Sequence, residues 1–75
     1  MHEKTLDCAG LSCPLPIVKT SQAMKHLAAG ERLRVIATDP GARNDIKAWA
    51  VRTGNRLVSL EDVGGTLTFL LEKGG

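Results

Sequence analysis

The sharpest alternation in the chain runs over residues 32–38, where Leu33, Val35 and Ala37 fall on one side and Arg32, Arg34, Ile36 and Thr38 on the other. A period of two sends successive side chains to opposite faces, so this segment predicts a strand with one buried face. Residues 4–8 repeat the pattern on a shorter scale, with Leu6 and Cys8 sharing a face. The last strand is predicted over residues 66–73, with Leu67, Phe69 and Leu71 inward and Thr66, Thr68, Leu70 and Glu72 outward. Residues 56–63 form a strand joined to it by Gly64-Gly65, a dipeptide suited to a tight hairpin. That third strand is irregular, since Leu57, Val58 and Leu60 do not lie on one face.

Between the strands the period becomes helical. From Pro14 to about Ala29, Ile17, Thr20, Ala23, Met24 and Leu27 share one side, while Lys19, Gln22, Lys25 and His26 point to solvent and Gly30 ends the run. A second helix is predicted with Asp39 as cap and Pro40 as its first residue. It buries Ala42, Ile46, Trp49, Ala50 and Thr53 and ends at Gly54-Asn55, which makes Trp49 a core residue. The order strand-helix-strand-helix-strand-strand predicts an α/β two-layer sandwich, a mixed sheet with both helices on one face. Residues 1–75 then form a single domain.

Composition narrows the function classes. A chain of 75 residues has no room for a second module, and a net charge of +2 with 43% hydrophobic residues lacks the clustered basic excess of a nucleic-acid binder. One Phe, one Trp and no Tyr leave little for stacking on bases. No apolar run reaches the ~20 residues that span a bilayer, and the polar start Met1-His2-Glu3-Lys4 is not a secretory signal. We therefore expect a cytoplasmic protein with no membrane or direct nucleic-acid partner, acting as a monomer. Cys8 and Cys13 match no common zinc spacing, and His2 and His26 face solvent, so no metal and no cofactor are expected.

The chemistry concentrates at Cys13-Pro14-Leu15-Pro16. A residue before proline is pushed out of the helical region, so Cys13 is expected to cap the first helix, with Pro14 at its first position. The unpaired N–H groups and positive dipole end of a helix favour a thiolate, which makes Cys13 the candidate nucleophile. Pro16 removes one capping donor, leaving the Leu15 N–H to face the sulfur. Lowering a cysteine pKa from about 8.5 to about 7 would raise the thiolate fraction at pH 7 from about 3% to about half. The loop carrying Cys13 leaves the carboxyl end of the first strand, the edge where open α/β sheets place their chemistry. Leu15 is expected to be exposed beside the thiol, in reach of a partner. Lys19, Arg43 and Lys47 are candidates for partner contact, or else belong to solvated helix faces. Cys8, on the core side of its strand, reads as a buried structural thiol.

Leu6-Asp7, Gly10-Leu11, Cys13-Pro14-Leu15-Pro16, Asp39-Pro40, Arg43-Asn44-Asp45-Ile46 and the ending Lys73-Gly74-Gly75 together resemble the TusA-type (SirA-like) sulfur-carrier family across essentially the whole chain. The resemblance implies a sulfurtransferase without metal or organic cofactor, in which Cys13 receives sulfur as a persulfide and relays it. It implies a sulfur-donor protein, such as a cysteine desulfurase or rhodanese-like protein, and a sulfur-acceptor protein serving tRNA thiolation, molybdenum-cofactor formation or sulfur oxidation. Three other readings compete. Gly74-Gly75 is similar to the ending of ubiquitin-like carriers that hold sulfur as a C-terminal thiocarboxylate, although those domains begin with a hairpin. A non-enzymatic regulatory or binding module would not need Cys13. A thiol-disulfide switch would need both Cys8 and Cys13.

Overall fold

The computed structural model describes residues 3–74. Along the chain run β1 (Glu3–Cys8), α1 (Leu15–Met24), β2 (Arg32–Ala37), α2 (Ala42–Thr53), β3 (Arg56–Val63) and β4 (Thr66–Glu72). The strands form one sheet in the order β1-β2-β4-β3. β1 and β2 are parallel, whereas β4 runs antiparallel to both β2 and β3. β1, β2 and β3 therefore all point the same way. Each helix that follows one of the first two returns over the same face, and both helices begin at the carboxyl edge of the sheet.

The alternation read from the sequence is the alternation that packs. Leu33, Val35 and Ala37 from β2 and Leu67, Phe69 and Leu71 from β4 are buried beneath Met24, Leu27, Ala42, Ile46, Trp49 and Ala50. Burying a large apolar side chain fully is worth about 1.5–3 kcal/mol, and within the sheet β2 and β4, the two central strands, supply nearly all of the buried side chains. The other sheet face is mostly polar, with Ile36 and Leu70 half-buried on it, and carries the ion pairs Arg32–Glu72 at 3.3 Å and Arg34–Glu3 at 3.2 Å.

The structure also explains the irregular third strand. The pairing of β3 with β4 shifts register between Leu57 and Ser59, so Val58 is an extra residue in a bulge. With that residue discounted, Leu57 and Leu60 both pack against the core. At the tip of this hairpin Gly64 and Gly65 take φ of 59° and 86°, a left-handed pair that side chains with a Cβ rarely adopt.

Several expected boundaries move. α1 stops at Met24, not near Ala29: the N–H groups of His26 and Leu27 turn back to the carbonyls of Ala23 and Met24. The Ala28 N–H donates to the nearby Glu31 carboxylate at 2.6 Å and the Gly30 N–H to the distant Lys73 carbonyl at 2.9 Å, so a local side chain and a tertiary partner replace helical ones. Leu27 still reaches the core from this turn. α2 starts at Ala42, not Pro40; Asp39 makes no side-chain cap, and its backbone carbonyl accepts the Ala42 N–H at 3.0 Å. Thr53 is exposed rather than buried, its hydroxyl donating to the Trp49 carbonyl at 2.7 Å. Strand β2 ends at Ala37 and β4 at Glu72, each one residue short of expectation. His2 and Gly75 lie outside the described residues.

Candidate functional site

The loop from β1 to α1 is held at both of its ends. The Leu11 N–H donates to the Cys8 carbonyl at 3.1 Å, the Ala9 N–H to the Asp7 carboxylate at 2.9 Å, and the Gly10 N–H to the Thr38 hydroxyl at 2.8 Å. The last of these ties the loop to the end of β2, and Leu11 packs against the core beneath it. Ser12 and Cys13 therefore project from a fixed base. The Cys13–Pro14 peptide bond is cis.

Cys13 does not cap α1. Pro14 holds the cap position, Leu15 is the first helical residue, and the Leu15 N–H expected to face the sulfur donates instead to the Ser12 carbonyl at 2.9 Å. Pro14 and Pro16 contribute no N–H, so the first turn presents little to a thiolate. The sulfur turns to α2, where the Cys13 thiol donates to Asp45 Oδ2 at 3.0 Å. This hydrogen bond, made to the neutral thiol, raises the Cys13 pKa above the ordinary cysteine value; the negative charges of Asp45 and Asp39 add to the effect. The direction is opposite to the depression expected from the helix terminus, because the carboxylate is in contact with the sulfur.

Asp45 sits in the first turn of α2, so the topology that gathers both helix starts at one edge also brings these side chains together. The sulfur itself is exposed, and Leu15, two residues on, is 45% exposed, as the sequence led us to expect. Pro16 is buried and anchors the motif from below, while Pro14 is exposed. Cys8 is fully buried at the end of β1, where burial pushes its pKa up. The three candidate cations do not converge on the thiol. Arg43 pairs with Asp62 of β3 at 2.8 Å, Lys47 lies on the exposed face of α2, and the charge of Lys19 bears on Cys8. The basic side chain that shares a wall with Cys13 is Arg52, alongside Ile17, Asp45 and Ala48. Asp45 stood within a motif read from the sequence without a role. Its signal was its place in the first turn of the second helix, at the edge where the first begins.

Among the described residues no group of three or more His, Cys, Asp or Glu side chains is placed to hold a metal ion. No described helix is long and apolar enough to cross a membrane.

The family model described as "Sulfurtransferase TusA" matches residues 4–73. The chain belongs to the TusA family. Among the TusA-family relatives, the "Putative sulfur carrier protein YrkI" of Bacillus subtilis (strain 168) is 47% identical over 72 residues, covering 96% of each chain. The "Sulfur carrier protein TusA" of Allochromatium vinosum is 42% identical over 71 residues, covering 95% of this chain and 93% of its own length. A crystal structure of a SirA-like protein from Desulfitobacterium hafniense superposes with a TM-score of 0.83 at 25% identity, covering 96% of this chain and 99% of that one. The two-layer α/β sandwich expected from the order of elements is the architecture found.

Proposed function

We propose that this TusA-family protein is a sulfur carrier and that Cys13 bears the sulfur, as a persulfide, between a donor and an acceptor protein. The observation that carries the reading is an exposed, unpaired thiol projecting from a braced loop at the edge where both helices begin. Relatives matched over nearly their whole length are named sulfur carriers, which supports it.

In loading, the Cys13 sulfur bonds to the outer sulfur of a donor persulfide while the donor's own S–S bond breaks, its inner sulfur leaving as a thiolate with the electron pair. The thiol proton passes to that departing thiolate; no oxidant is consumed. In hand-off an acceptor thiolate attacks the outer sulfur, the Cys13–sulfur bond breaks, and Cys13 departs and recovers a proton. Asp45 then favours the unloaded state. It accepts a hydrogen bond from the thiol, whereas the anionic terminal sulfur of a persulfide offers it no proton and meets two carboxylates, Asp45 and Asp39. A high resting pKa also keeps the idle thiol from oxidising, since thiolates are the oxidised form's precursors.

Donor proteins of the cysteine desulfurase or rhodanese-like class fit this role, as do acceptors in tRNA thiolation, molybdenum-cofactor or sulfur-oxidation relays. Incubation with a cysteine desulfurase and cysteine, followed by peptide mass mapping, tests the reading. One added sulfur is expected on the peptide containing Cys13 and none in Cys13→Ser. Sulfur on the C-terminal peptide instead would establish a thiocarboxylate carrier, and an unmodified Cys13 beside a loaded control carrier would refute the proposal.

A further inference from the structure

We infer that the trough between α1 and α2 seats an extended, acidic segment of the protein that exchanges sulfur with Cys13. The inference rests on the carrier reading above and names the partner chemistry for that site. The space beside Cys13, about 250 Å³, has Ile17 and Arg52 among its walls. The same two side chains wall a larger space of about 470 Å³ lying against Trp49. Lys25 and Trp49 continue into a third space, of about 200 Å³, that ends at Lys73 and Gly74. Shared walls make these one continuous trough, running from the start of the helices to their far ends.

Its length suits a peptide. The ten residues of α1 rise about 15 Å at ~1.5 Å each, the span of about five extended residues. Its charge is asymmetric. Asp45 stands at the sulfur end; beyond it come Arg52, Lys25 and Lys73, and no further carboxylate lines the walls. Among the described residues neither Arg52 nor Lys25 enters an ion pair, while the Lys73 ammonium donates to the Met24 carbonyl at 2.9 Å. The complementary occupant carries its sulfur at one end, neutral residues beside Asp45, and carboxylates several residues on. Lining residues such as the half-buried Ile17 and the exposed Val18 give it an apolar surface to lie on.

The test uses two synthetic peptides, each a cysteine followed by two neutral residues and then three glutamates or three glutamines, with the cysteine activated as a mixed disulfide with thionitrobenzoate. Attack by Cys13 forms a Cys13–peptide disulfide and releases coloured thionitrobenzoate, the better leaving group. At low ionic strength the glutamate peptide is expected to react about tenfold faster than the glutamine peptide, the ratio falling toward one at high salt. The same collapse is expected at low salt in Arg52→Gln/Lys25→Gln, but not in Lys4→Gln/Arg56→Gln, which removes equal charge outside the trough. A ratio near one in the unaltered protein overturns the inference, as does a ratio that survives the trough substitutions or falls equally in the control pair. Sulfur loading of Cys13 by a desulfurase is read separately, so failure of the trough and failure of the carrier reading give different results.

Discussion

Replacing Thr20 by valine is expected to make the protein more stable. Thr20 lies in the middle of α1 with none of its surface exposed, and its hydroxyl finds no hydrogen-bond partner among the described residues. An unmet buried hydroxyl costs about 1–3 kcal/mol in lost hydration. Valine has the same branching and a similar helix propensity, so the exchange removes that cost with little change of backbone or rotamer preference. The new methyl adds up to ~0.8 kcal/mol of apolar burial, and the tighter packing takes back about as much. The net expectation is about 1–2 kcal/mol of added stability, or roughly 5–10 °C in Tm for a domain of this size. Urea unfolding followed by the fluorescence of Trp49, the sole tryptophan and only 4% exposed, measures it directly. Thr20→Ser serves as the converse: it keeps the hydroxyl, loses the methyl and should fall below the parent by about 1 kcal/mol. The reasoning fails if the order inverts, with valine below the parent and serine level with it, because the hydroxyl would then be supporting the fold.

Two further expectations concern the thiols. Asp45→Asn removes the carboxylate that holds Cys13 protonated, so the thiolate should appear at lower pH and the pH–rate curve for alkylation by iodoacetamide should move toward acid; an unmoved curve would show that the Asp45 contact does not govern the sulfur. Cys8→Ala should retain sulfur loading of Cys13 while lowering stability by about 1–2 kcal/mol through the lost burial, as urea midpoints would report. The folded-state pKa of Cys8 is raised by its burial, so its contribution is complete while the unfolded thiol stays protonated and is lost as the pH climbs from the unfolded toward the folded value. The parent should therefore weaken in alkali more than Cys8→Ala does, and parallel pH profiles would contradict the assignment.

The parts of this molecule legible in its sequence are those set by one periodicity at a time. Leu33, Val35 and Ala37, and Leu67, Phe69 and Leu71, name their own buried faces because each strand packs against a single layer of helix. The end of α1 was not legible, because the Gly30 N–H finds its partner at the Lys73 carbonyl, 43 positions away, rather than in any local stop signal. The thiol's environment was hidden for the same reason. A helix start at Cys13-Pro14 can be read from adjacent residues, but the Asp45 carboxylate lies 32 positions away and arrives only through the fold. Local chemistry therefore pointed to an exposed sulfur but not to the carboxylate in contact with it.

The bulge at Val58 has a consequence for how copies of this protein coexist. β3 is an outer strand, and a flat outer strand offers its unpaired backbone groups to any neighbour that can align with them. An extra residue there, followed by Glu61 and Asp62, twists and charges that border. Sideways zipping into fibrils is discouraged along this flank.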